Sequence, residues 1–399
     1  MKVNNSKVKS NIWKYYLATA IVQFAFFTPI IQLFYIDNNL TILKIATLGV
    51  IWTIVRMILE IPSSILADRW GRKKVLITSR LFDIFSIFTL IFATEYWHFI
   101  LASIFFAVSY AFQSGTQVAF FYDTLKELKK EDQFDKYWAR QDLFSQIPLL
   151  IAFIASGFLY KISPLLPFQL SIIFGAISLL ILFTLTEPKY HKPVKEVNIF
   201  SHFKQSFNYI LKNPLLKFML IFTIIFCIGS DFTYGYGQVY LNYLALPVVL
   251  FGIVYTLKSL FVTIFANFTP SLRRKFSYKN LFGFEIFFLA ILIFIMSFTN
   301  NYIVGALCFI LIAIPHGLYS ITSNSYIHKN LESHHRATID SIFSFFIATT
   351  FLVIEPAAGY IADIYSIKLP LFIIGILIFI YGVYYLLKGH KIIASHTGD

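Results

Sequence analysis

The residues of this chain that could do chemistry are ionisable side chains set inside long apolar stretches. Charges in such places are costly, and they are usually either paired or functional. Asp231 lies within GSDFTYGYGQVY, where Gly229, Gly235 and Gly237 allow a helix to bend or break. Lys258 falls at comparable depth in the next apolar stretch. Two readings stay open for them: a carboxyl that takes up and releases a proton or cation, and a static Asp231–Lys258 bridge. Glu355 lies close to the end of a later stretch, a place that permits a gating role. Arg56 and Glu60 are one helical turn apart, and Arg80 and Asp83 nearly so. Glu60 and Arg80 are equally far from a hairpin centred near residue 70, and Arg56 and Asp83 nearly equally far. At ~1.5 Å of rise per residue each acid is then level with a base on the neighbouring helix. The spacing predicts two structural ion pairs, Glu60–Arg80 and Arg56–Asp83.

The elements that carry these charges must be membrane helices. Of 399 residues 58% are hydrophobic and 13% charged, and the mean hydropathy is +0.71. A soluble protein of this length needs more polar surface. The apolar stretches reach about 20 residues or more, the length that crosses ~30 Å of hydrocarbon. They fall at about 12–37, 43–66, 75–95, 98–124, 138–160, 166–186, 214–243, 246–270, 278–298, 302–328, 336–361 and 369–388. The sequence therefore predicts an all-α integral membrane protein with twelve transmembrane helices. The basic N-terminus precedes a run too long for a signal-peptide core, with no small-residue cleavage site at its end, and predicts an uncleaved first helix.

The net charge of +13 reflects topology more than a polyanionic partner, and nucleic-acid binding is not expected. Of 33 Lys and Arg residues, Lys44, Lys161 and Lys368 fall on one side and Arg56, Arg80 and Lys258 inside spans. The remainder gather on the other side, in both tails and every second loop, which predicts cytoplasmic termini and a multi-pass protein of the inner (cytoplasmic) membrane. Cys227 and Cys308 lie within spans and suggest neither a disulfide framework nor a zinc site. His334 and His335 are adjacent rather than helically spaced, so no metal centre is expected. No G-x-x-x-x-G-K-S/T loop is present, and the sequence calls for no cofactor.

The longest polar stretch, 187–213, divides six spans from six. The expected organisation is a six-helix bundle over 1–186, a cytoplasmic linker over 187–213 and a second six-helix bundle over 214–399. FSHFKQSFNYILKN within the linker suits an interfacial amphipathic helix or a plain tether. A weak internal repeat relates the halves. A shift of 206 lays LADRWGRKKVL over LRRKFSYKNLF and Gln32 over Gln238, and a shift of 196 lays Arg140 and Ser145 over Arg336 and Ser341.

SILADRWGRKK (64–74), between the second and third spans, is the motif with a mechanism. Gly71 permits the tight turn of a two-helix hairpin, and Asp68 is an anion suited to a helix N-terminus or a basic partner. The loop resembles the G-x-x-x-D-R-x-G-R-K/R-K/R signature of the major facilitator superfamily. It matches at Asp68, Arg69, Gly71, Arg72, Lys73 and Lys74, with Ser64 in place of the leading glycine. The resemblance covers essentially the whole chain and implies two pseudo-symmetric bundles that alternate access around a central cavity. It also implies that Asp68 contacts the start of span eleven, near Arg336. Asp123, Asp142 and Asp340, near helix ends, are expected to cap helices or to pair with Arg140 and Arg336. SYAFQSGTQVAFFYD and LFSQIPLLIAFIASG lack the arginine and the G-P-x-x-G-G of proton-driven drug exporters.

In this family spans one, four, seven and ten line the cavity. That makes Asp231 the leading proton or cation site, with Lys258 and Glu355 behind it. The cavity candidates are then Gln23, Gln32, Tyr110, Gln113, Gln117, Tyr234, Gln238, His316, Tyr319 and Asn324. His316 follows Pro315, whose freed backbone carbonyl could hold it. The function implied is a non-enzymatic secondary transporter, acting as a monomer, that exports amphipathic small molecules against protons. The alternatives are uptake of a sugar or amino acid, an integral-membrane enzyme and a sensor without flux. An enzyme would need a clustered catalytic set at one membrane face, and the sequence has none.

Overall fold

A computed structural model describes residues 2–189, 207, 209–329 and 336–394. The described residues form twelve helical spans. Eight are continuous or nearly so: Ile42–Trp70, Arg72–Ile91, Phe134–Ile162, Leu166–Phe183, Val248–Arg273, Tyr278–Phe298, Arg336–Ile364 and Lys368–Tyr384. Spans one, four, seven and ten are interrupted. Lys2–Val22 is followed, after a break, by Ile31–Asp37, and Tyr96–Gln113 by Thr116–Glu127. Pro214–Gly235 is followed by Gly237–Tyr243, and Tyr302–Leu311 by Ala313–Lys329.

Each break has a local cause. In span one Phe24–Phe27 leave the helix just before Pro29, and the freed Phe26 amide donates to Ser171 Oγ at 3.0 Å. Gly115 breaks span four with φ +72°, a left-handed conformation that favours glycine. Span seven turns at Tyr236, between two glycines. A Cβ on Gly237 would collide with the Phe309 ring and come within 2.8 Å of the Tyr255 hydroxyl. Such interruptions survive in a membrane only where the freed backbone finds partners or water.

Ten spans are apolar and long enough to cross a bilayer by composition alone. Span one falls short because its first turns are polar and its helix is broken. Span three falls short because Arg72, Lys73, Lys74, Arg80 and Asp83 crowd Arg72–Ile91.

The chain divides into two compact units, Met1–Leu40 with Thr47–Glu196, and Thr41–Ala46 with Val197–Asp399. Inside the first unit, serines tie neighbouring helices. Ser79 donates to the Ser109 carbonyl at 2.9 Å, Ser86 to Ala102 at 2.7 Å, Ser103 to Leu48 at 2.8 Å and Ser178 to Ala18 at 2.8 Å. Small polar side chains let helices approach closely and hydrogen-bond across the gap. Tyr15, Phe120, Phe121 and Leu182 fill the core beside them. The second unit packs on aromatic rings: Phe226 stacks on Tyr319 at 4.1 Å, and Phe222 meets Phe282 edge-on at 5.1 Å. Residues 41–46 join this unit through Asp363, whose carboxylate accepts from the amides of Ile42 at 2.7 Å and Leu43 at 2.9 Å. The amphipathic helix expected over 200–213 lies largely outside the described residues.

Candidate functional site: a polar cavity and an intramembrane charge cluster

The motif loop is built around a helix N-terminus. Gly71 adopts φ +95°, which turns the chain from span two into span three. The Glu187 carboxylate then closes the new helix, accepting from the amides of Arg72 at 2.7 Å and Lys73 at 2.8 Å. Lys73 Nζ donates to the Phe183 carbonyl at 2.7 Å. The Arg72 guanidinium reaches Asp123 on span four and donates to the Ala119 carbonyl. Asp123 thus pairs with the motif's own Arg72, a partner the sequence did not suggest. Asp68 is half-buried, and Arg69 is exposed. The Arg336 side chain, Asp68's expected neighbour, lies outside the described residues.

Neither cross-helix ion pair forms among the described residues. Arg80 pairs within its own helix, its Nη1 lying 2.6 Å from Asp83 Oδ2. Arg56 sits over the rings of Trp52 at 5.0 Å and Tyr110 at 5.6 Å, and Glu60 is exposed. Rise along the helix says nothing about which face of the helix a side chain takes. A residue three or four positions away on the same helix is a nearer partner than one across a hairpin.

The Arg80–Asp83 pair faces a cavity of about 260 Å³ in the first unit. Gln23, Gln113 and Gln117 line it as the sequence suggests, joined by Thr19, Gln141, Ser145 and Ser171, which sequence reasoning missed. Gln141 Nε2 donates to Thr19 Oγ1 at 3.1 Å and to Ser145 Oγ at 2.8 Å. The signal was available: Gln141 and Ser145 stand one turn apart on the same helix. Arg80 Nε, buried beside the cavity, has no hydrogen-bond partner. The lining thus offers four amide side chains, hydroxyls and a mutually neutralised ion pair. It can take hydrogen-bonding groups without demanding a net charge. Tyr110 is not part of this lining and packs on Trp52 at 5.3 Å, and Gln32 is half-buried outside it.

In the second unit Asp231 accepts from Ser230 Oγ at 3.0 Å, and its Oδ1 lies 4.0 Å from His316 Nδ1. Both side chains are about two-fifths exposed, at 42% and 40%. The Asp231–Lys258 bridge does not form. Lys258 is buried, with Nζ 3.7 Å above the Phe309 ring and 5.2 Å from that of Tyr234, and it has no hydrogen-bond partner. The ammonium therefore sits in an aromatic cage behind the acid. Gln238 is buried beside this cluster's helix break, and Tyr234 is exposed. Tyr319 donates to Thr223 Oγ1 at 2.8 Å and Asn324 to its own helix at Ser320, so each is committed to packing or helix contacts. Glu355 is half-buried. No group of three or more His, Cys, Asp or Glu able to hold a metal occurs among the described residues.

Comparisons with known proteins bear on the fold and the family. A protein of Bacillus subtilis (strain 168), the uncharacterized MFS-type transporter YxaM, is 32% identical over 144 residues, spanning 36% of this chain and 35% of that protein. The chain thus aligns with about a third of that relative's length. The fold resembles a crystal structure of the nucleoside transporter NupG, with TM-score 0.76, 15% identity and coverage of 94% of this chain and 98% of that one. It also resembles a POT family transporter in complex with 5-aminolevulinic acid, with TM-score 0.75, 13% identity and 96% of each chain covered. A bacterial homolog of the human lysosomal transporter Spinster matches at TM-score 0.68 and 11% identity, over 94% of this chain and 95% of that one. Residues 15–353 match the sequence profile of the Major Facilitator Superfamily. A profile match over most of the chain, on a fold of twelve spans shared with solved transporters, makes this multi-pass membrane protein a member of the major facilitator superfamily.

Proposed function

We propose that the chain is a secondary active transporter that moves a small, polar organic solute across the cytoplasmic membrane by alternating access. The single observation that carries this reading is the cavity lined by Gln23, Gln113, Gln117 and Gln141 around the Arg80–Asp83 pair. Amides and hydroxyls discriminate by hydrogen bonding, because a ligand that leaves them unpaired is penalised. Such a lining suits a metabolite with several donors and acceptors better than the amphipathic compounds of drug efflux. The positive-inside distribution of Lys and Arg puts both termini in the cytoplasm. The transporter works as a monomer.

Transport is coupled to protons through Asp231 in this reading. Its half-exposed carboxylate has a titratable partner in His316 and a cation, Lys258, behind it. Protonation of Asp231 would release the attraction of both and bias the broken span seven.

The test is counterflow in proteoliposomes with nucleosides, sugars, amino acids and short peptides as probes, followed by pH jumps. At least one polar class should exchange, with Gln113→Ala and Gln117→Ala raising its half-saturation concentration tenfold or more. Asp231→Asn should keep exchange but lose accumulation driven by a pH gradient. Undiminished proton flux in Asp231→Asn removes the coupling role. Exchange of amphipathic amines alone would favour efflux, and binding without exchange would point to a sensor.

A further inference from the structure

Glu285 lies outside every site described so far. It stands on span nine, Tyr278–Phe298, and is completely buried. Its Oε1 lies 2.7 Å from Thr322 Oγ1 on span ten, while Oε2 is buried with no hydrogen-bond partner. No Lys, Arg or His forms an ion pair with it among the described residues. An ionised carboxylate has about four acceptor positions, and burying it without cation or donors carries a heavy desolvation cost.

The hydroxyls around it are committed elsewhere. Tyr319 donates to Thr223 Oγ1 at 2.8 Å, and Tyr385 donates to the Lys279 carbonyl at 2.7 Å. Thr322 Oγ1 lies 3.0 Å from the Leu318 carbonyl, one turn back on its own helix. A hydroxyl has a single hydrogen. Thr322 can donate to Glu285 Oε1 or to Leu318, not to both at once; with its hydrogen on Leu318, a protonated Glu285 donates across the 2.7 Å contact.

We propose that Glu285 is a proton-binding site in the second unit, separate from Asp231. It is a carboxylic acid that holds its proton in this conformation by donating to Thr322. Release breaks only the O–H bond of Glu285 and hands the proton to water entering the contact between spans nine and ten. No electron moves. Tyr319 and Tyr385 are the titratable groups that interact with it electrostatically. Lys217, Cys227, Asp231, Cys308, His316, Lys329, Lys368, His390 and Lys391 also stand on elements packed against span nine, and none makes a hydrogen bond or ion pair with Glu285 among the described residues.

Infrared difference spectroscopy of the full chain, in nanodiscs of phosphatidylethanolamine and phosphatidylglycerol, tests this without a known substrate. Wild type should show the carbonyl absorbance of protonated carboxyls at neutral pH. Glu285→Gln should lose one carboxyl's share of it, and Asp231→Asn should keep that share. Thr322→Val should move the band to higher frequency, because the acid loses its acceptor. Unchanged absorbance in Glu285→Gln, or an unmoved band in Thr322→Val, overturns the proposal whatever Asp231→Asn does. Should Glu285→Gln fail to fold, the Thr322→Val band decides alone.

Discussion

Replacing Glu187 by alanine should loosen the motif loop selectively. The carboxylate accepts two backbone amides, Arg72 at 2.7 Å and Lys73 at 2.8 Å, at the start of a helix whose dipole favours an anion there. Hydrogen bonds to a charged group are worth ~1.5–3 kcal/mol each, which taken alone would double for the pair. Glu187 is only half-buried, however, so water can reoccupy both amides and salt screens the charge. The capping scale is the better guide, and it sets the loss at about 1–2 kcal/mol. That is a change of roughly 5–30-fold in the local opening equilibrium. Glu187→Gln keeps one acceptor oxygen and should cost about half as much. Hydrogen exchange followed by mass spectrometry in nanodiscs reads this directly, at the peptide covering residues 70–76. Exchange there should accelerate by the stated factor while peptides of span nine stay unchanged. Gly71→Ala should give a similar local effect, since its φ is +95° and its Cβ would come 3.1 Å from the Glu187 carboxyl carbon. An unaltered 70–76 peptide in Glu187→Ala, or an equal acceleration everywhere, would refute the capping argument.

Other perturbations follow from the same geometry. Arg80→Ala leaves Asp83 facing the cavity without its partner and should lower stability by roughly 2–3 kcal/mol, with partial recovery in Arg80→Ala/Asp83→Asn, as read by thermal unfolding in detergent. Asp363→Asn weakens the acceptor for the Ile42 and Leu43 amides and should cost about 1 kcal/mol, seen as faster exchange confined to residues 42–45. Gly237→Ala forces the Phe309 ring aside and should cost roughly 1–3 kcal/mol, and trimming the ring with Phe309→Leu should return part of it.

The twelve spans and the motif hairpin were legible in the sequence, because each rests on a local quantity: apolar length or a turn glycine. Gln23, Gln113 and Gln117 were legible as polar residues on helices that the family resemblance points inward. The ion pairs were not. Axial height follows from counting residues, whereas the rotation of one helix against another depends on how all side chains between them pack. Glu60 is therefore left exposed, and Arg80 finds Asp83 on its own helix.

Composition and periodicity alone determined that this chain is a bundle of membrane helices with a basic face and an acid in a glycine-rich stretch. Only tertiary structure decided which polar atoms meet. It brought Glu187 onto a helix 115 residues earlier in the chain, set Gln141 beside Thr19, and enclosed Glu285 with a single threonine. Contacts of that sequence separation are set by packing across helices, where the low dielectric makes every unpaired group expensive and so selects one arrangement.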